Sequence, residues 1–204
     1  MAFEERATAP VMSRRSIITL DFPGAVPAIC QLRPADPATS GPPTASGSST
    51  SENRFVVRRE LAPADAGVPM MLRVRVLDAV DRPLPGAVLE ISHRAPGPAD
   101  PVLSGAQVTD PHGYAEFKTV FPGWSASEPA GIDLTLYLAG SRDCGRLHFT
   151  GQVITQVAGL AWYRENPRPI APPEAPAGFP QVVPRDRYDL TAGLLATISA
   201  VTDR

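Results

Sequence analysis

The chain has 204 residues and a mass of 21.6 kDa, enough for one ordinary domain and too short for two full ones. Hydrophobic residues at 43% and charged residues at 20% describe a globular protein, and a formal net charge of −2 lacks the basic field that nucleic acid or anionic lipid requires. No apolar run approaches the ~20 residues of a membrane span, so neither nucleic acid nor membrane is expected as a partner. Lys118 is the single lysine among many arginines; this reads as GC-rich coding and lowers the weight of arginine clusters as functional signals.

Cys30 and Cys144 are the only cysteines; no CxxC or Cys/His ligand spacing exists to suggest zinc, and their pairing is left open. Arg14-Arg15 superficially matches a twin-arginine export signal. The stretch after it is interrupted by Asp21, Pro23, Gly24 and Pro27, however, so the chain reads as cytoplasmic.

The N-terminal residues 1–53 read as an arm followed by a loop. Ser16 to Leu20 is a candidate edge strand, and Pro34 to Asn53 is rich in Pro, Ser, Thr, Ala and Gly. Residues 54–204 read as the folded core. There, 24 prolines and 16 glycines over the whole chain punctuate short alternating runs. Leu72, Val74 and Val76 alternate with Arg73 and Arg75, which predicts a strand from about Met70. A second strand follows over Ala87 to Ser92, then a break at Arg94 to Pro101. Asp110-Pro111-His112-Gly113 has turn chemistry and leads into a strand over Ala115 to Thr119. Gly131 to Leu138 shows the cleanest alternation, with Asp133 among the polar set. Further strands are expected over about Arg146 to Val157 and Leu194 to Val201, separated by a proline-rich loop over Asn166 to Pro184 that could be a lid or an edge cover. About seven short strands without a helical period predict an all-β fold, a two-sheet antiparallel β-sandwich with long loops.

The order of these pieces resembles the catalytic core of the intradiol ring-cleavage dioxygenases, the family of the catechol and protocatechuate enzymes. Gly67 to Asp78 is similar to that family's opening strand. Pro83-Leu84-Pro85-Gly86-Ala87-Val88-Leu89-Glu90-Ile91 resembles its "PLxGAxVxxWH" strand, with His93 at the motif's His and Ser92 at its Trp. Gly105 to Asp110, Phe117-Lys118-Thr119, Phe121-Pro122-Gly123-Trp124 and Thr150-Gly151-Gln152 come in the family's order. The resemblance implies a sandwich fold and a ferric ion held by two tyrosines and two histidines, but the ligand positions do not carry those residues. Ser125 stands at the second tyrosine, Gly131-Ile132-Asp133 at the paired histidines, and no tyrosine lies between Arg94 and Gly105; Glu128 falls at the family's arginine. No metal and no cofactor are therefore expected.

The leading expectation is a cofactor-independent enzyme that cyclises or rearranges an aromatic or polyketide-like small molecule in the former iron cavity. Asp133, Glu128, His93 and Ser125 would be its acid/base residues, and Gln152, Trp124, His148 and Tyr137 would contact substrate. Plainer roles stand beside these: Asp133 as a solvated strand residue, His93 as a structural imidazole, His112 as a turn residue, Trp124 and Trp162 as packing. One alternative is a non-catalytic partner subunit or small-molecule binder, as a homodimer or paired with a related chain. Another is an active dioxygenase with unusual iron ligands.

Overall fold

A computed structural model describes residues 29–34, 57–63, 65–97, 101–172 and 179–203. The arm and the Ser16 to Leu20 strand lie outside the described residues, as does nearly all of the Pro34 to Asn53 loop. The described chain forms strands β1 (Ile29–Pro34), β2 (Pro69–Leu77), β3 (Val88–Arg94), β4 (Val102–Val108), β5 (Tyr114–Val120), β6 (Gly131–Leu138) and β7 (Ser141–His148). A helix α1 (Gly151–Ala158) comes next, then β8 (Gln181–Asp186) and β9 (Asp189–Thr202). No described helix is long and apolar enough to cross a membrane.

The strands make two layers, one ordered β4-β3-β6-β7 and the other built on β9, β2 and β5 with β8 against β9. β1 ties them, antiparallel to β7 through Arg33 and Pro34 and parallel to β9 through Ile29 to Leu32. The all-β sandwich expected from alternation is present, but the pairing is mixed. β2 runs parallel to β9 over Met70 to Leu77, because the chain between them crosses the opposite layer. The β1 register sets Cys30 opposite Ala200 and Arg33 opposite Cys144. The two cysteine backbones are thus offset by about three strand residues, roughly 10 Å, beyond disulfide reach.

Alternation places the core as expected. Met70, Leu72, Val74 and Val76 of β2, Leu89 and Ile91 of β3, Ile132, Leu134 and Leu136 of β6, and Ala196 and Ile198 of β9 meet between the layers around Phe117, Phe121 and Phe149. Each fully buried Leu, Ile or Phe contributes about 1.5–3 kcal/mol of apolar transfer. At the Asp110 turn, the carboxylate accepts the backbone N–H groups of His112 and Tyr114 at 2.8 Å each. Gly113 at φ 78° closes it, and a Cβ there would meet the Val76 carbonyl at 2.6 Å. The Arg58 to Leu61 segment bridges the edges of β4 and β5 through backbone bonds to Ala106 and Lys118.

Two expectations need correction, and one strand lies where none is expected. The strand over Arg146 to Val157 ends at His148, and the chain turns into α1, whose N-cap Thr150 accepts from Val153 N at 3.4 Å. An eight-residue helix rich in Val and Ile shows too little of its period to be told from alternation, although Ile154 and Val157 are its buried pair. The unforeseen strand is β4, which begins beyond the Arg94 to Pro101 break; its buried positions are Gly105 and Ala106 rather than large side chains, and the Arg58 backbone packs directly over Gly105. The proline-rich loop ends in β8, an edge strand that accommodates Pro184.

The end of the sandwich is sealed by a 3-10 turn over Ala161–Tyr163. The buried Tyr163 hydroxyl donates to the Phe121 carbonyl at 2.7 Å and accepts from Val68 N at 3.3 Å. Its ring stacks on Trp124 at 5.5 Å. Burial pushes this phenol far above its ordinary range, so it stays a neutral donor. Tyr163→Phe is expected to cost about 1–2 kcal/mol by orphaning the Val68 N–H, read from urea denaturation with an unchanged m-value.

Candidate functional site

The two-residue period of the β3-β6-β7 ladder sorts the candidate residues. Ser92, Asp133 and Arg146 are opposite one another in register, and Gly131 faces His148. Asp133 is exposed and Ser92, Arg94, Arg146 and His148 are half-buried on the outer face, whereas Ile91, His93, Ile132 and Leu147 are buried on the core face. His93 and Asp133, expected to line one cavity, therefore lie on opposite faces of the sheet.

His93 is 3% exposed. Its Nδ1 lies 2.8 Å from the Arg94 carbonyl and its Nε2 2.7 Å from the Thr119 hydroxyl. Since a carbonyl only accepts, Nδ1 carries the proton and Nε2 accepts from Thr119. Both ring nitrogens are used, and burial holds the imidazole below its ordinary pKa. His93 is a neutral core residue.

The outer face carries an alternating chain of charge. Arg94 Nε donates to Glu128 Oε2 at 3.1 Å. Arg146 Nη1 lies 2.7 Å from Glu128 Oε1 and 2.8 Å from Asp133 Oδ1, and its Nη2 donates to the Pro129 carbonyl at 3.5 Å. Two expected acid/base residues, Glu128 and Asp133, are thus brought together by one guanidinium. His148 stands beside them, with Nδ1 buried and without a hydrogen-bond partner among the described residues. Desolvation, and then the Arg146 charge, lower its pKa against a smaller opposing effect of Asp133. Tyr137 lies further along the face, where its hydroxyl donates to Glu90 at 3.1 Å.

Ser125 lies in a neighbouring cleft of about 250 Å³ lined by Gly97, Trp124, Ser125, Glu165, Asn166 and Pro167. Ser125 N donates to the Glu128 carbonyl at 3.0 Å, so one tight turn joins cleft and charge chain. The Ser125 hydroxyl lies 3.3 Å from the Ser127 hydroxyl, and no imidazole bonds it. Asn166 Oδ1 accepts from Gly97 N at 2.9 Å, and Trp124 Nε1 donates to the Pro167 carbonyl at 2.7 Å. Gln152, expected on a strand, is exposed on α1. Sequence reasoning missed Arg94, Arg146, Glu165 and Asn166. The register partnership of position 146 with Asp133 was the available signal for Arg146, and it requires the β6-β7 pairing to be known.

The donors at the positions implied for iron do not fit a ferric ion held by two tyrosines and two histidines. Ser125 offers one hydroxyl, Asp133 is ion-paired, and Gly131 has no side chain. A Cβ at Gly131 would lie 2.7 Å from the Leu147 carbonyl and 2.8 Å from Arg146 Nε. Among the described residues no cluster of three His, Cys, Asp or Glu side chains is arranged to hold a metal.

The described chain nevertheless has the fold of the intradiol ring-cleavage dioxygenases. It is similar to an intradiol ring-cleavage dioxygenase from Tetranychus urticae, with TM-score 0.62 and 17% identity over 73% of this chain and 87% of that one. It is also similar to the dioxygenase domain of a dioxygenase carbohydrate-binding protein fusion from Streptomyces sp. SirexAA-E, with TM-score 0.56 and 20% identity over 79% and 97% of the two chains. A chlorocatechol 1,2-dioxygenase from Pseudomonas putida matches with TM-score 0.50 and 18% identity over 78% and 70%. At such identities the likeness establishes the fold. No family model and no curated protein matches the sequence.

Two predictions test this geometry. Gly131→Ala is expected to destabilise the fold by about 2 kcal/mol or more, since one of the two clashing atoms is backbone; equilibrium unfolding measures it. His93 makes stability pH-dependent with a definite sign. Its folded pKa is lowered, so below the ordinary imidazole value of about 6.5 the unfolded chain takes up a proton that the fold refuses. Stability therefore falls as pH drops below 6.5, and above it this residue adds no slope. His148 acts in the same direction. Unfolding free energies between pH 6.5 and 5 are expected to show a shallower slope for His93→Gln than for the unaltered protein.

Proposed function

We propose that this chain is an iron-free protein of the intradiol dioxygenase fold that acts on a small aromatic or polyketide-like molecule without cleaving its ring. The observation that carries the reading is the state of the implied ligand positions: a serine turned to its own loop, a glycine with no room for a Cβ, and an aspartate held by Arg146.

The chemistry open to such a protein is cofactor-independent proton transfer. His93 is enclosed in the core, and Glu128 and Asp133 are held in ion pairs by guanidinium groups. The carboxylate available to a ligand in the cleft is Glu165, which is exposed and makes no ion pair with the described residues. It would accept a proton from an acidic C–H or O–H of the ligand, while the Ser125 hydroxyl and the Asn166 amide orient a ligand oxygen. Return of that proton to another atom of the same ligand gives a tautomer or closes a ring, with atoms and charge balanced. The openness of the cleft and the neutralised state of Glu128 and Asp133 favour a second reading, a binding protein or partner chain that performs no turnover.

Protein expressed in iron-rich medium is expected to be colourless and free of stoichiometric iron by elemental analysis. Stoichiometric iron with a tyrosinate-to-iron band in the visible spectrum overturns the proposal. Deuterium incorporation from D2O into 1,3-dicarbonyl and phenolic probes, followed by NMR, separates the two readings. Exchange slowed about 100-fold or more by Glu165→Gln supports proton transfer; probe binding at Trp124 and Ser125 without exchange supports a binding protein.

A further inference from the structure

We propose that the cleft beside Trp124 selects uncharged single-ring molecules that carry a carbonyl together with an acidic O–H or C–H, and that Glu165 excludes their carboxylated counterparts. The inference rests on the reading of this cleft as the ligand site and names the substrate class it takes.

The rim of the cleft is tied by named bonds. Asn166 Oδ1 accepts from Gly97 N at 2.9 Å, Trp124 Nε1 donates to the Pro167 carbonyl at 2.7 Å, and Ser125 N donates to the Glu128 carbonyl at 3.0 Å. The first two join the segments around Gly97, Trp124 and Asn166 that make up the lining, so the shape is set before a ligand enters. The same bonds decide which polar groups remain for a ligand. Gly97 N only donates, so it takes the oxygen of the Asn166 amide and leaves the Nδ2 hydrogens. The Ser125 oxygen accepts from Ser127 N at 3.3 Å, which leaves its hydroxyl hydrogen to turn between Ser127 Oγ and a ligand oxygen. Trp124 offers apolar surface alone, because its one N–H is taken by Pro167. The remaining group is the Glu165 carboxylate, an acceptor and the only acidic or basic side chain in the lining. Two donors and one acceptor match a molecule with a carbonyl oxygen on one side and an acidic hydrogen on the other. No guanidinium lines the cleft to receive an anion: Arg94 and Arg146, which meet the Ser125 turn at Glu128, are paired with Glu128 and Asp133. A ligand carboxylate therefore meets Glu165 without a cation between them. At about 250 Å³ the cleft lies below the ~300–1,000 Å³ of pockets for drug-sized ligands, which suits one ring with short substituents.

Salicylamide and salicylate test the selection, since they share ring, phenol and carbonyl and differ in carrying an amide or a carboxylate. Binding is read by NMR from the Trp124 indole N–H signal. Trp162, whose indole N–H bonds the Asp65 carbonyl outside the cleft lining, is the internal reference. At neutral pH salicylamide is expected to bind about tenfold or more tighter than salicylate, and the ratio is expected to shrink as salt rises. Glu165→Gln is expected to bring the ratio to about one, chiefly through tighter salicylate binding. Glu60→Gln, which removes a carboxylate paired with Lys118 outside the cleft lining, is expected to leave the ratio unchanged. Equal affinities in the unaltered protein, or a preference that survives Glu165→Gln, overturn the selection while leaving the cleft as a ligand site. A Trp124 signal that neither probe moves overturns the reading of the cleft itself, and the selection with it.

Discussion

The pairing of β6 with β7 sets the site, because in a pleated ladder a residue's parity decides its solvent. With Gly131 opposite His148 and Asp133 opposite Arg146, the even positions Ile132, Leu134 and Leu136 go into the core and the odd positions face outward. A shift of one residue would bury Asp133 and expose Ile132, exchanging a solvated ion pair for an uncompensated charge in the interior. The same alternation on β3, where the odd positions face the core, sends His93 inward and Arg94 outward. The register therefore builds both the neutral His93–Thr119 contact inside and the Arg94–Glu128–Arg146–Asp133 chain outside.

A second constraint acts at the end of the sandwich. α1 and the 3-10 turn after it deliver Tyr163 to the end of the paired β2 and β5, where its hydroxyl bonds the Val68 and Phe121 backbone groups that flank those strands. Trp124 is held by stacking on that ring and by its bond to the Pro167 carbonyl, so the loop carrying Ser125 and Glu128 has a fixed root. The cleft is a consequence: Asn166 reaches Gly97, and the space between that contact and the Trp124 turn stays open. Core packing and site geometry here share one residue, Tyr163.

How much was legible in the sequence depends on which signals are local. The strands with large apolar residues at every second position, β2, β5, β6 and β9, declare themselves, and so does the Asp110 turn. β4 does not, since its buried residues are Gly105 and Ala106 and their burial comes from the distant Arg58 backbone. α1 does not, since two helical turns of Val and Ile also satisfy alternation. Within the site, the departure from the family's iron ligands was readable from motif order, but the replacement was not. Arg146 is thirteen residues from Asp133, and only the hairpin register brings them together. Likewise His93 and Asp133 looked like neighbours because they are near in the fold; only strand parity shows the sheet between them.

The electrostatic balance of the outer face completes the account. Two carboxylates converging on one point repel each other unless a cation stands between them, and at such close range water and salt screen that repulsion incompletely. In this chain the cation is Arg146, covalently attached and always charged, with Arg94 balancing the second oxygen of Glu128. The pairing is therefore permanent: the guanidinium belongs to β7 and is positioned by the same register that positions Asp133.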